Sequence, residues 1–317
     1  MTIGPDLSLV DPDLRAVIGL LPDLSNLSDT TLPAVRTAVS GVPAALGTDD
    51  AGVKVTRIEL PGLNGAPAVS ALLYEPPAGN GASLRPVVLD LHGGGYVAGT
   101  AQRDDRALRT FAATLGVVGL APDYRLAPEH PHPAALDDAA ASLRWLHAKA
   151  GERRLDMTRL AVRGVSAGGG LAVSLALREH AERRERIAHL HLLFPMLDDR
   201  TGDHAFNGRF VWTAGANRYG WSSLLSGHDR KAPPAFAVPA RAADVSGLPP
   251  TFMALGSIDL FASEDLVFST RLVDAGVALE LHVYAGAFHA FNLVADARCA
   301  KALARDEVEA LRRALCE

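Results

Sequence analysis

From residue 86 to the C-terminus the sequence alternates short apolar runs with longer amphipathic ones. That alternation limits the possible folds more than any other feature of the chain. Residues 86–91, 117–121, 160–165, 187–194, 251–255 and 278–284 have the length and aliphatic composition of buried strands. Residues 104–115, 134–148, 169–180 and 264–275 carry helical periodicity. A terminal helix follows, with Ala304, Val308, Leu311 and Leu315 on its inner stripe. Strands joined through helices run parallel, and a parallel sheet must be covered on both faces. Upstream, residues 53–60 and 69–74 are β-rich and are separated by Pro61, Gly62, Asn64 and Gly65, which reads as an antiparallel hairpin. The expected class is therefore α/β, with a mostly parallel sheet and helices on both faces.

Two segments break the rhythm. In residues 1–50, Leu7, Leu9, Leu14, Ile18 and Leu21 recur at helical spacing but are interrupted by Pro5, Pro12, Pro22 and Pro33, so short helices are expected. Residues 201–246 place Phe210, Trp212, Trp221, Leu224 and Leu225 among Gly, Asn and Pro with no strand pattern. An excursion of that length is usually functional. The expected organisation is a core formed by residues 51–200 and 247–317, with residues 1–50 and 201–246 as a small helical cap.

Composition narrows the function. With 48% hydrophobic and 21% charged residues, the chain can bury a sizeable core. Lys+Arg 31 against Asp+Glu 36 leaves a net charge of -5. That balance argues against a nucleic-acid partner, whose phosphates require a basic surface. The only two cysteines, Cys299 and Cys316, make neither a disulfide framework nor a zinc site. Residues 1–10 have no basic stretch followed by an apolar one, so no signal peptide is expected. No apolar run approaches the roughly 18 residues needed to cross a bilayer. A cytoplasmic location is expected.

Chemistry concentrates in a few places. Gly164-Val165-Ser166-Ala167-Gly168 follows a buried strand and opens a helix, the context a G-x-S-x-G nucleophile turn requires. His92-Gly93-Gly94-Gly95 ends the strand at 86–91 and leaves backbone N–H groups uncovered by side chains. With the N–H of Ala167 they can face an oxyanion. No P-loop or G-x-G-x-x-G pattern accompanies these glycines, which sets aside phosphate binding. His92 itself is expected to bond locally and shape the loop. A serine nucleophile needs a base, and the base needs an orienting acid. His289 follows the last strand and Asp259 follows the strand before it, giving the chain order Ser166, Asp259, His289. Glu264 and Asp265 are alternative acids, but lie inside the following helix. His130 and His132 flank Pro131 without a metal-ligand pattern, and His189 and His191 share one strand face. Asp137, Asp138, Asp198 and Asp199 read as helix-start and loop carboxylates.

Taken together, the motifs resemble the hormone-sensitive-lipase-like esterases, bacterial family IV of the α/β-hydrolase fold. The resemblance rests on His92 to Gly95, "DYRLAPEHPHPAALDD" from Asp123, "GVSAGGG" from Gly164, "FPMLDDR" from Phe194, "FVWTAGANRYGW" from Phe210 and "FHAF" from Phe288. It implies a triad of Ser166, His289 and Asp259. It also implies an oxyanion hole from Gly94, Gly95 and Ala167, with Gly93 shaping the turn. Further implications are a cap over the pocket, small-molecule esters with short to medium acyl chains as substrates, and neither cofactor nor metal. Four positions depart from the group's pattern: Val165 where Asp or Thr is usual, Phe194 for Tyr, Leu260 for Pro and Ala290 for Gly. Other acyl transfers, as in an amidase, lactonase or deacetylase, would use the same triad. A non-catalytic binding module, as in plant hormone receptors that resemble the fold, would lack the triad His, which is present here. The strand at 278–284 is expected at a sheet edge, where a homodimer would form, and the resemblance points the same way.

Overall fold

The structure is a computed structural model, and it describes residues 7–20, 24–40, 46–77 and 83–317. The positions Pro5, Leu21 and Pro22 of the N-terminal pattern lie outside the described residues. Nine described strands form one sheet in the order β1-β2-β3-β5-β4-β6-β7-β8-β9. They are β1 (Gly47–Thr48), β2 (Lys54–Leu60), β3 (Val69–Glu75), β4 (Arg85–Leu91) and β5 (Val118–Pro122). β6 (Leu155–Val165), β7 (His189–Leu193), β8 (Thr251–Gly256) and β9 (Leu279–Tyr284) complete it. The β2–β3 hairpin is antiparallel and in register from Lys54↔Glu75 to Leu60↔Val69. β3 joins the rest by pairing antiparallel with β5, and the strands from β5 to β9 are parallel. β9 is an edge strand.

The helices are α1 (Pro12–Arg15), α2 (Leu32–Val39), α3 (Asp105–Leu115), α4 (Ala134–Arg153), α5 (Ala167–Ala181), α6 (Ala214–Leu224), α7 (Ala262–Asp274) and α8 (Arg298–Leu315). Alternation along each strand sends side chains to two layers. Val87, Leu89 and Leu91 of β4 pack with Leu143 and Leu146 of α4 and Ala172 and Leu175 of α5. Val88, between them, packs on the opposite face with Leu108 and Phe111 of α3 and Leu311 and Leu315 of α8. The α/β sandwich read from the sequence is therefore present. None of the described helices is long and apolar enough to cross a membrane.

The inner stripe of α8 differs from the sequence expectation. Ala304 is exposed, and the buried positions are Cys299, Ala300, Leu303, Glu307, Ala310, Leu311 and Leu315. A hydrophobicity pattern rejects Glu307 as a core residue, yet a cation buried beneath the helix admits it. Asp90 of β4, Arg163 of β6 and His191 of β7 stand side by side on the sheet face covered by α8. The Arg163 guanidinium donates to Asp90 Oδ1 at 2.6 Å and to Glu307 Oε1 at 2.9 Å, with Asp104 Oδ1 at 3.4 Å. Burial pushes the Asp90 carboxyl up to about 7, with Arg163 opposing it. Burial also acts to raise Glu307, but Arg163 and His191 hold it below its ordinary value. Burial keeps His191 neutral, its ring stacked 4.4 Å from Phe252.

Candidate active site

Ser166 sits between the end of β6 and the start of α5, with φ 56° and ψ −118°. A positive φ is strained for a residue with a Cβ, costing about 1–3 kcal/mol, and persists only where neighbours enforce it. Here the Ser166 N–H donates to Leu193 O at 2.9 Å, and Ser166 O accepts from Met196 N–H at 2.9 Å and Gly170 N–H at 3.1 Å. The flanking glycines are sterically required. A Cβ on Gly164 would stand 2.2 Å from Gly168 O, and one on Gly168 would stand 1.9 Å from Leu91 O.

The expected base, His289, arrives from the loop after β9. His289 Nε2 lies 2.9 Å from Ser166 Oγ, and His289 Nδ1 lies 2.8 Å from Asp259 Oδ2. Asp259 is fully buried, and its Oδ1 accepts the Phe261 N–H at 2.9 Å. Phe194 and Phe261 stand edge-on to the imidazole at 4.9 and 5.2 Å. Ala290 adopts φ 60°, a conformation glycine takes freely, which accounts for the glycine usual there in the resembling group.

The two other candidate acids are elsewhere. Glu264 Oε1 accepts the N–H groups of Leu197 and Asp198 at 2.6 and 3.1 Å, and its other oxygen bonds Thr201 Oγ1. It thereby fixes the loop after β7 that supplies Met196 to the serine turn. Burial pushes Glu264 up to about 8 despite these donors. Asp265 is fully buried without a hydrogen-bond partner among the described residues, and burial raises its carboxyl well above the usual range.

The glycine loop lies against the serine turn. Gly93 approaches Val165 O, and a Cβ added to it would be 3.0 Å away. Gly94 and Gly95 have φ 129° and 63°, and the Trp212 ring closes over Gly95. Among the described residues, the N–H groups of Gly94, Gly95 and Ala167 donate no hydrogen bond. His92 keeps the local role expected of it: Nδ1 lies 2.8 Å from Gly93 O, and its ring stacks on Tyr124 at 4.1 Å. Of the remaining histidines and acids, His189 and His191 are packed in the core, and Asp138 and Asp199 pair with Arg125 and Arg241.

A narrow apolar cleft opens above Ser166. Its walls are Gly93 to Gly95, Val165, Phe194 and His289 below, Leu24, Leu27, Val35 and Val39 from the N-terminal segment, and Val211 and Trp212 from the excursion. The volume open to the centre of a water molecule is about 50 Å³. The two covering segments touch, since Tyr219 Oη on α6 donates to Asp29 Oδ1 at 2.7 Å. The sequence suggests an N-terminal contribution to the cap, but Leu24, Leu27, Val35 and Val39 carry no motif that singles them out as wall residues.

This geometry agrees with what the chain is similar to. Residues 88–293 match the family model described as the alpha/beta hydrolase fold. The chain belongs to this family. Esterase LipI of Mycobacterium tuberculosis is 31% identical over 276 residues, covering 86% of this chain and 85% of the relative. Carboxylesterase NlhH of Mycobacterium tuberculosis is 32% identical over 286 residues, covering 85% and 86%. A solved structure titled bacterial heroin esterase superposes with a TM-score of 0.85 at 34% identity, covering 97% of this chain and 98% of that one. As a hormone-sensitive-lipase-like member of the α/β-hydrolase family, the protein is a carboxylic ester hydrolase.

Proposed function

We propose that this hydrolase cleaves esters of short to medium acyl chains through an acyl-enzyme on Ser166, with His289 as general base and Asp259 as its orienting acid. The unbroken path from Ser166 Oγ through both ring nitrogens to Asp259, at 2.9 and 2.8 Å, carries this reading. His289 Nε2 takes the proton of Ser166 Oγ as the oxygen attacks the ester carbonyl. Asp259 holds the tautomer with the proton on Nδ1 and stabilises the imidazolium that forms. The uncommitted N–H groups of Gly94, Gly95 and Ala167 receive the tetrahedral oxyanion; one such donor is worth about 10²–10³ in rate in other hydrolases. His289 then protonates the leaving alcohol, and later activates the water that releases the acid.

The helical cap is assigned to residues 1–50 and 201–246, from which Leu24, Leu27, Val35, Val39, Val211 and Trp212 line the cleft. Its narrowness favours the short end of the acyl range. Hydrolysis of p-nitrophenyl esters of increasing acyl length, beside amide and lactone analogues, tests the assignment. Turnover is expected to peak at short acyl chains and to exceed amide turnover. An optimum on amides or lactones, with esters left intact, would overturn it. The β9 edge, where Val283 is exposed, supports the expected homodimer. A sedimentation run showing only monomer would dismiss that assembly.

A further inference from the structure

Arg103 stands in the single 3₁₀ turn Ala101–Asp104 that follows the glycine loop, and it lines the same cleft as Ser166. Apart from Ser166 and His289, every other side chain in that lining is apolar or absent: leucines, valines, alanines, glycines, Phe194 and Trp212. Arg103 is half-buried, and its Nη1 donates to Val39 O at 3.2 Å. Among the described residues no carboxylate pairs with it. The nearby acids are already engaged. Asp104 faces Arg163, and Asp123 takes the Ala101 N–H at 2.6 Å and Arg57 at 3.1 Å. Several half-buried arginines hold a carboxylate, as Arg109 with Asp105, Arg125 with Asp138, Arg144 with Glu179 and Arg178 with Asp137. Arg85 and Arg271 bond backbone carbonyls instead, but neither lines the cleft, so Arg103 is the cation that faces the space above Ser166. A guanidinium set in an apolar wall without a counter-charge is unfavourable. Its planar fork suits a carboxylate bound in bidentate fashion.

We infer that Arg103 is a specificity-determining residue and that the preferred substrates are small esters carrying a free carboxylate. The inference rests on the assignment of Ser166 as nucleophile and adds the substrate class. Two arrangements share this chemistry. The carboxylate sits on the acyl arm in hemiesters of short dicarboxylic acids, and on the alcohol arm in acylated hydroxy acids. The small cleft requires the carboxylate to lie only a few bonds from the scissile carbonyl. A neutral ester of the same size leaves the guanidinium unpaired when it displaces water, so the preference originates in binding.

The test uses matched pairs that differ only in charge: p-nitrophenyl hemisuccinate against p-nitrophenyl succinamate for the acyl arm, and O-acetylglycolate against O-acetylglycolamide for the alcohol arm. In the wild-type enzyme the carboxylate member of one pair is expected to have the higher kcat/KM, mainly through KM. Which pair responds identifies the arm. In Arg103→Met the carboxylate-to-amide ratio should fall by about tenfold or more, as loss of a charge-assisted hydrogen bond implies. Arg103→Lys should recover part of the ratio. Where the Met variant does not fold, Arg103→Gln gives the same reading. A ratio near one in the wild-type enzyme, or a ratio unchanged by substitution while both members slow together, would overturn the inference and make Arg103 only an anchor for the Val39 carbonyl. The wild-type rate on p-nitrophenyl acetate keeps the two failures apart: if that ester turns over, a flat ratio counts against Arg103 alone, whereas no turnover of any ester counts against Ser166.

Discussion

Arg163→Met removes the cation from a site where three carboxylates converge, and its effect can be sized from the structure. Arg163 is 1% exposed and faces Asp90, Glu307 and Asp104 at 2.6, 2.9 and 3.4 Å. Breaking a buried ion pair by deleting one partner costs about 3–5 kcal/mol, because the remaining charge stays desolvated. Against a typical domain stability of about 5–15 kcal/mol that is a large fraction, equivalent, at about 2.1 cal/mol/K of unfolding entropy per residue, to a fall in Tm of roughly 5–8 °C for a chain of 317 residues. The deficit should depend on pH. Without the cation, the buried Asp90 and Glu307 carboxyls, which Arg163 holds down in the wild type, are held protonated to higher pH than before. The folded variant then binds more protons than its unfolded chain across the neutral range, and its stability falls as pH rises. The gap to the wild type is therefore widest near pH 8 and narrows toward pH 5. Adding Asp90→Leu and Glu307→Leu to Arg163→Met should recover part of the loss. Urea unfolding at pH 5, 6.5 and 8 measures all of this. A loss below about 1 kcal/mol at pH 8, less than the cost of even a modest buried defect, or a gap that grows on acidification, would refute the reasoning.

Three further outcomes follow from the site. Asp259→Asn should lower kcat by as much as about 10⁴-fold while leaving the thermal transition within a few degrees, since it favours the wrong imidazole tautomer; steady-state kinetics beside a melting curve would check it. Gly95→Ala should abolish ester turnover and alter tryptophan fluorescence, because its Cβ would stand 2.0 Å from the Trp212 ring at φ 63°. Between pH 6.5 and 8 the fold should lose stability as pH rises. Glu264, raised to about 8 by burial, is protonated when folded and ionised when unfolded across that window. The slope per such carboxyl is at most about 1.4 kcal/mol per pH unit, and Glu264→Gln should flatten it; a slope unchanged by that substitution would count against the burial argument.

Much of the fold was legible because it follows from local patterning. Aliphatic runs such as that ending at Leu91 can lie only in a sheet covered on both faces, and glycines around Ser166 mark a turn too tight for a Cβ. The order Ser166, Asp259, His289 was readable because each residue follows a strand end. Other features depend on contacts between distant segments and leave no local trace. Glu307 looks like a solvent-facing position until Arg163, 144 residues away in sequence, is seen beneath it. The exposure of Ala304 follows from the same rotation of α8. Chain position favours Asp259 over Glu264 and Asp265 as the orienting acid; in the structure Asp259 lies against His289, while Glu264 holds the backbone of Leu197 and Asp198. Leu24, Leu27, Val35 and Arg103 belong to no motif and meet the cleft only through tertiary packing.

The central claim is that the acyl group passes through Ser166, and trapping that intermediate tests it most directly. The enzyme is mixed with excess p-nitrophenyl acetate, quenched in acid during the first turnover, digested and mapped by mass spectrometry. One acetyl group per chain is expected on the peptide containing Ser166, matched by a burst of p-nitrophenolate, with neither seen in Ser166→Ala. Acetyl on another residue, or turnover that persists in Ser166→Ala without any labelled serine, would contradict the claim.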